Sequence, residues 1–318
     1  MRVLFADKIN KRAKEILEDA GFIVDEKPGL SEEEYVSIIK DYDAMVVRSG
    51  TKVTRNIIDA GEKLKVIGRA GVGVDNIDLN AARERGIAVM NAPTANTNAA
   101  AEHTITLLMM LAKHIIHSNI SMKKGEWDRK KYMGIELRGK NLGIIGLGKV
   151  GRKVAKVAIA LEMNVFGYDP YLSEEDMQKV GIRKVEFEEL IEKSDFITVH
   201  VPLNEKTRNL ISKKEFEKMK DGVRILNVAR GGIINEKDLY EAIKNGKVAA
   251  AAIDVYKEEP PTFKELIKLD QVISTPHLGA STIEAQVGVA VEIAEAIIDA
   301  LKYNKLKNVV NNVTKLRP

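Results

Sequence analysis

The sequence predicts an α/β protein built from two doubly wound parallel-sheet domains, and three observations carry that expectation. Short apolar runs alternate with amphipathic stretches twice over, in residues 1–92 and again from 142 to about 276. The second series opens on LGIIGLGKVG, an apolar run that enters a glycine-spaced turn and then a helical pattern. At 318 residues the chain also exceeds the size at which a single core usually keeps growing.

In the first series VLFA (3–6) leads to a helix over 8–20, and FIV (22–24) to one over 31–40. AMVV (44–47) leads to helix 54–60, VIGRA (66–70) to helix 78–85, and IAVM (87–90) closes the set. Such strand-length apolar runs, each followed by an amphipathic segment, describe buried parallel strands with their crossover helices. Gly21 and Gly86 stand where helix C-caps belong, just before the next strand. Asn91 to Asn96 has turn chemistry and begins a boundary. Beyond it, Asn98 to about Lys124 is rich in Ala, Leu, Ile and Met and reads as one long helix linking one domain to the next. A polar, basic connection with the single Trp127 then runs to Lys140.

The second series predicts strands at 142–145, 165–168, 196–201, 223–228, 249–253 and 272–274, with helices at 187–193, 212–218 and 236–245. A last amphipathic pattern, Thr282 to Lys302, is sent back to the first domain. The expected division is therefore a discontinuous domain of 1–97 with 284–318, and an inserted domain of 98–283.

Residues 142–169 read as strand, glycine turn, helix, strand, acid. Gly146 permits a tight turn, Gly148 lets the backbone approach a pyrophosphate, and Gly151 lets helix and strand pack closely. The helix N-terminus offers free N–H groups to the anion. Asp169 lies 18 residues past Gly151, near the ~20 at which a carboxylate meets a ribose 2′-hydroxyl. The pattern predicts a dinucleotide-binding Rossmann unit. An acid at the ribose repels a 2′-phosphate, which selects NAD over NADP.

Composition excludes other classes. The net charge of +4 is the small difference between 50 basic and 46 acidic residues, with no concentrated basic patch to bind nucleic acid. No apolar stretch is long enough to span a membrane, and the N-terminal run before Asp7 is too short for a signal peptide. Without cysteine there are no disulfides, thiolate metal sites or cysteine nucleophile, and a cytoplasmic protein is the simplest expectation. His103, His114 and His117 fall in the long helix, the last two on one face, but no third ligand is evident and no metal site is expected.

Ligands of an open α/β sheet bind at the carboxyl ends of its strands. The polar residues just past the strands of the inserted domain are Asp169, His200, Arg230, Asp254 and His277, with Glu258 and Glu259 shortly after Asp254. His277 is the candidate base, since histidine titrates near neutral pH. Glu259, 18 positions earlier, could orient it, and Arg230 could bind a substrate carboxylate with its bidentate fork. Each has an ordinary reading alone, as a packed histidine, a loop charge or a loop end. Their common position at strand ends joins them.

At these residues the chain resembles the D-isomer-specific 2-hydroxyacid dehydrogenases. The marks are VRSGTKVT (47–54), GRAGVGVDNID (68–78), GIIGLGKVGRKVA (143–155), GYDP (167–170), ITVHVPLNEKT (197–207), NVARGGIINE (227–236), AAIDVYKEEPP (251–261) and TPHLGASTIEAQ (275–286). The resemblance implies a Rossmann domain inserted in a flavodoxin-like substrate domain, with Arg230, Glu259 and His277 catalytic. It implies NAD contacts from Lys149, Val150, Asp169, Val201, Val228, Ala229, Asp254 and the loop His277, Leu278, Gly279, Ala280, with Val72 on the nicotinamide side. Backbone N–H groups around Gly71, Val72 and Gly73 would hold the substrate carboxylate. Arg48 and Arg69 would meet its distal end, where two guanidinium groups suit a phosphate.

The implied reaction is reversible oxidation of D-3-phosphoglycerate to 3-phosphohydroxypyruvate, which opens phosphorylated serine synthesis. Rival readings are a glyoxylate or hydroxypyruvate reductase of the same family, and a non-enzymatic NAD-sensing regulator on the same fold. A homodimer joined through the nucleotide domains is implied, with a dimer of dimers left open. Many relatives continue into C-terminal regulatory domains. Because the sequence stops at Pro318, the expectation is the catalytic unit without such a domain.

Overall fold

Apolar runs bounded by polar turns become buried parallel strands, and the amphipathic stretches between them become the helices that cover both sheet faces. The computed structural model describes residues 1–317, and Pro318, with which the expected first domain closes, lies outside the described residues. The described chain divides into two compact units, Met1–Asn96 with the segment from Thr282 onwards, and Thr97–Ser281.

The first unit contains β1 (Arg2–Phe5), α1 (Lys11–Asp19), β2 (Ile23–Glu26), α2 (Glu32–Ile38), β3 (Ala44–Val47), α3 (Arg55–Ala60), β4 (Val66–Arg69), α4 (Leu79–Glu84) and β5 (Ala88–Asn91). Among the described residues these strands form a parallel sheet in the order β2-β1-β3-β4-β5, the flavodoxin-like order. Helix starts follow from capping chemistry. Ser31 and Glu34 form a capping box on α2, and the Asp78 carboxylate accepts the Ala81 N–H at the start of α4.

The second unit begins with α5 (Thr97–Lys113) and α6 (Ile115–Lys123), followed by β6 (Asn141–Ile145), α7 (Lys149–Ala160), β7 (Asn164–Tyr168), α8 (Glu174–Gln178) and β8 (Arg183–Lys184). It continues through α9 (Phe187–Lys193), β9 (Phe196–Val199), α10 (Lys213–Lys218), β10 (Val223–Asn227), α11 (Glu236–Lys244), β11 (Val248–Ile253), α12 (Lys264–Ile267) and β12 (Val272–Ser274). The parallel order is β12-β11-β10-β9-β6-β7-β8, so the chain reverses direction across the sheet between β6 and β9. That reversal is the switch point at which ligands of such sheets bind. The final helix, α13 (Ile283–Tyr303), belongs to the first unit. Its Ala290, Ile293, Ala294 and Ile297 are buried against Val3, Phe5 and Val66.

The long helix expected from Asn98 to Lys124 is two helices. His114 stands between them in the left-handed region (φ 51°), and the Ala112 carbonyl accepts the Ile135 N–H at 2.9 Å instead of extending the helical ladder. A histidine is not the glycine or asparagine that usually marks such a break, so nothing in the sequence announced it. Both helices lie within the second unit, where α5 packs on α7, β10 and β11. His114 and His117 consequently share no helix face. Among the described residues no group of three His, Asp or Glu could hold a metal ion, and no helix is long and apolar enough to cross a membrane. The strand expected to run to 201 ends at Val199, ahead of Pro202, which has no N–H for a ladder. Helices α8 and α12 and the two-residue β8 were not foreseen, being too short for a periodic signal.

Strand β5 lies at an edge of its sheet and is covered by the chain that follows α13. The Val310 N–H donates to the Val89 carbonyl at 2.9 Å. The buried Asn311 amide donates to the Ile87 carbonyl at 2.8 Å and accepts from the Val89 N–H at 3.0 Å. Asn311→Ala removes both partners of these buried backbone groups and should cost about 1–3 kcal/mol. A lowered denaturant midpoint is the expected reading, and an unchanged one would show that water replaces the amide.

Candidate active site

The glycine turn sits where β6 ends, at the switch point. Gly146 has φ +91°, and a Cβ there would lie 2.7 Å from both the His200 carbonyl and Val201 Cγ1, so the turn must carry no side chain. Gly151 abuts the Gly146 carbonyl, which brings α7 directly onto the turn. Gly148 differs: it caps α7, is exposed, and has open space at its Cβ position. An α7 N-terminus without a side-chain cap, behind an open glycine, fits a pyrophosphate. Asp169 accepts the Leu147 N–H through Oδ2 and the Tyr171 N–H through Oδ1, each at 2.9 Å. Its carboxylate thus rests against the turn and keeps lone pairs for a ribose hydroxyl.

The loops after β10, β11 and β12 interlock. Gly231 lies directly against the Tyr256 carbonyl, binding the Arg230 loop to the Glu259 loop. The Tyr256 hydroxyl donates to the Thr275 carbonyl at 2.9 Å, which ties in the third. Asp254 has no exposed surface. Its Oδ1 accepts from the Leu278 N–H and Thr275 Oγ1, both at 2.6 Å, and its Oδ2 from the Gly279 N–H at 2.8 Å. Burial alone would raise this carboxyl. Hydrogen bonds from His103, Thr275, Leu278 and Gly279 outweigh it and hold the group below the usual carboxylate range. Implied as a cofactor contact by the resemblance, Asp254 is found beneath the loop that carries Leu278 and Gly279.

His277 is held in the left-handed region (φ 55°), its N–H donating to the Asp254 carbonyl at 2.9 Å. Such a backbone persists in a non-glycine residue only where its surroundings impose it. His277 Nδ1 lies 2.7 Å from Glu259 Oε2, while Glu259 Oε1 accepts the Tyr256 N–H at 3.1 Å. Burial raises the Glu259 carboxyl, but the bonds from His277 and Tyr256 lower it further, leaving it below its ordinary value and ionised at neutral pH. An ionised acceptor requires Nδ1 to carry a hydrogen, so in the neutral ring Nε2 is the basic atom. Arg230 lies on the adjoining loop, where Asn227 braces the backbone by donating to the Arg230 carbonyl at 2.9 Å and accepting the Ala229 N–H at 3.1 Å. Arg230 itself donates to the Ala229 carbonyl at 2.6 Å.

The remaining candidates of this unit have accessible surface: Lys149 and Leu278 are exposed, and Val150, Val201, Val228, Ala229 and Ala280 are half-buried. His200 is half-buried as well. Its Nε2 lies 3.1 Å from Thr198 Oγ1, and burial pushes its imidazole down to about 4.

In the first unit, Arg48 follows β3 directly. Asp7 Oδ2 accepts the Arg48 N–H at 2.5 Å and the Thr51 N–H at 3.2 Å, and the Asn76 amide donates to the Arg48 and Thr51 carbonyls at 2.7 and 2.6 Å. Arg69 ends β4 and folds back, donating to the Ala70 carbonyl at 3.0 Å, with its guanidinium where a Gly71 side chain would stand. The Asn91 amide holds the Val72 carbonyl at 2.7 Å, leaving Val72 exposed beside Gly73. Asp7, Asn76, Thr275 and Asn227 were missed as organisers of these loops. The strand-end rule, applied to β1 as it was to the second series, would have found Asp7.

A model of the D-isomer specific 2-hydroxyacid dehydrogenase NAD binding domain matches residues 105–279. D-3-phosphoglycerate dehydrogenase of Archaeoglobus fulgidus is 53% identical over 312 residues, which cover 98% of this chain and 59% of that protein. The chain thus spans somewhat over half the length of such relatives. A glyoxylate reductase from Paecilomyes thermophila superposes with a TM-score of 0.90 at 32% identity, covering 98% of each chain. D-lactate dehydrogenase from Aquifex aeolicus, complexed with NAD and lactic acid, gives 0.85 at 27% identity, covering 96% of each.

The folded state keeps His200 neutral down to about pH 4, whereas the unfolded chain protonates it near 6.5. The unfolded state binds more protons between those values, so stability falls as pH is lowered through that window. Denaturant midpoints should decline accordingly, and His200→Gln should flatten the decline. A variant limb as steep as that of the parent would rule the residue out.

Proposed function

Since the chain belongs to the D-isomer-specific 2-hydroxyacid dehydrogenases, we propose that it catalyses reversible oxidation of D-3-phosphoglycerate to 3-phosphohydroxypyruvate with NAD. The observation that carries this reading is the His277–Glu259 pair at 2.7 Å, on a loop joined to that of Arg230, in a chain 53% identical to a phosphoglycerate dehydrogenase.

When bound, NAD supplies the hydride acceptor for substrate C2. The first N–H groups of α7, with Gly146, Gly148 and Gly151 behind them, hold its pyrophosphate, and Asp169 holds the adenosine ribose and disfavours NADP. Lys149, Val150, Val201, Val228, Ala229 and Leu278 to Ala280 line its path, with Asp254 acting beneath them and Val72 contributed by the first unit. His277 Nε2 takes the C2 hydroxyl proton, and Glu259 stabilises the imidazolium that forms. Arg230 fixes the substrate carboxylate and polarises the carbonyl in the reverse direction. Gly71 and Gly73 offer backbone N–H groups to the same carboxylate, and Arg48 and Arg69 recognise the phosphate.

A homodimer joined through the second unit is part of the proposal. Met122, Trp127 and Met133 of α6 and the following connection are more than half exposed, a surface suited to burial against another copy. The proposed location is the cytoplasm, in keeping with a chain that carries no cysteine. Glyoxylate or hydroxypyruvate reduction is the second reading, supported by the glyoxylate reductase likeness at 32% identity. A non-enzymatic NAD sensor is disfavoured by an intact set of Arg230, Glu259 and His277.

Following NADH absorbance with a panel of hydroxy and keto acids, and with both cofactors, separates the three readings. Turnover confined to unphosphorylated acids would overturn the substrate, and comparable kcat/KM with NADP would overturn the cofactor preference. Arg69→Ala should reduce kcat/KM for phosphohydroxypyruvate by roughly 10- to 100-fold, the value of a charged hydrogen bond, while sparing glyoxylate. Equal losses on both acids would place the phosphate elsewhere. His277→Ala should lower kcat by roughly 10²–10⁴ with NADH affinity nearly intact, and turnover at the parental rate would remove His277 as the base.

A further inference from the structure

We infer that His103 is a positioning residue for His277, acting through Thr275 and the buried Asp254 carboxylate. His103 lies on α5 and is mostly buried, 19% of its side chain being exposed. Its Nε2 is 3.2 Å from Thr275 Oγ1 and 3.4 Å from Asp254 Oδ1. The Thr275 hydroxyl owns a single hydrogen, which it gives to Asp254 at 2.6 Å. Thr275 can therefore only accept from His103, and Nε2 must be the protonated ring nitrogen. Hydrogen bonds thus run in one direction, from His103 through Thr275 to Asp254, with a longer direct contact beside them.

What this line ends on is the loop that carries the base. Asp254 binds the N–H groups of Leu278 and Gly279 with its side chain and that of His277 with its carbonyl. These are three consecutive backbone groups, and they impose the left-handed conformation of His277. A fully buried carboxylate that loses a donor seeks compensation by moving, and the groups bonded to it move as well. His277 Nδ1 must stay in register with Glu259 for Nε2 to be basic, so a small displacement at Asp254 is read out at the reacting nitrogen.

The inference rests on the dehydrogenase reading for its effect on turnover, but its geometry can be tested without it. The chain has five histidines, so proton–nitrogen spectra of the imidazoles can be assigned by single substitutions. In the intact protein His103 is expected to be protonated at Nε2, and His277 to show an Nδ1–H signal bonded to Glu259. His103→Leu, of similar bulk and without a donor, should broaden or remove that His277 signal and lower kcat by ~10- to 100-fold, with KM for substrate little changed. His103→Gln, whose amide nitrogen reaches the same region, should restore the signal and most of kcat. A neutral His103 protonated only at Nδ1 would overturn the inference. So would an unaltered His277 signal in His103→Leu, or equal losses in both variants that simply follow their melting temperatures. Should the intact chain oxidise none of the acids tested, the functional reading fails and the imidazole spectra still decide the positioning role.

Discussion

Asp254 carries a charge with no access to water, and much of the second unit is arranged to tolerate it. A buried carboxylate without donors would be strongly destabilising. Here two backbone N–H groups, a threonine hydroxyl and an imidazole surround it, and all but the imidazole come from the loop after β12. The solvation of one side chain and the shape of that loop are therefore the same requirement. From the loop the constraint passes to His277 and on to Glu259, whose position is set independently by the Tyr256 N–H.

The same device recurs at three strand ends. Asp7 after β1 binds the N–H groups of Arg48 and Thr51, Asp169 after β7 binds those of Leu147 and Tyr171, and Asp254 after β11 binds those of Leu278 and Gly279. Each time an acid leaving one strand satisfies a loop, and that loop carries a proposed ligand residue or the glycine turn. Parallel sheets make this natural, because neighbouring strands finish together and leave their loops side by side. Loops fixed by carboxylates can present irregular backbone to a ligand without relying on helical or strand pairing.

Strands were legible because a parallel strand is apolar on both faces, so AMVV and LGII announce themselves without context. The glycine turn was legible because its spacing answers steric demands that can be stated in advance, at Gly146 and Gly151 above all. Glu259 and His277 could be paired across 18 positions because parallel strand ends share one edge of the sheet. The helix break at His114 could not be read, since it arises from the Ala112 carbonyl turning to a residue far along the chain. His103 was passed over for a related reason. A histidine within a helical pattern looks like packing, and only the fold shows that it faces a carboxylate 151 positions away.

The discontinuity of the first unit has a bearing on how the molecule is made. Its sheet is finished by residue 91, yet one of the two helices that cover one face of it is α13, which leaves the ribosome only after the entire second unit. During synthesis that face, with Val3, Phe5 and Val66 on it, has only Ala13 and Leu17 of α1 as cover while the second unit is being produced in one uninterrupted run. The second unit can complete its core in that interval, whereas the first must wait. The nascent chain therefore passes through a long stage with one finished body and one half-covered apolar sheet, the stage at which a chaperone would find most to bind.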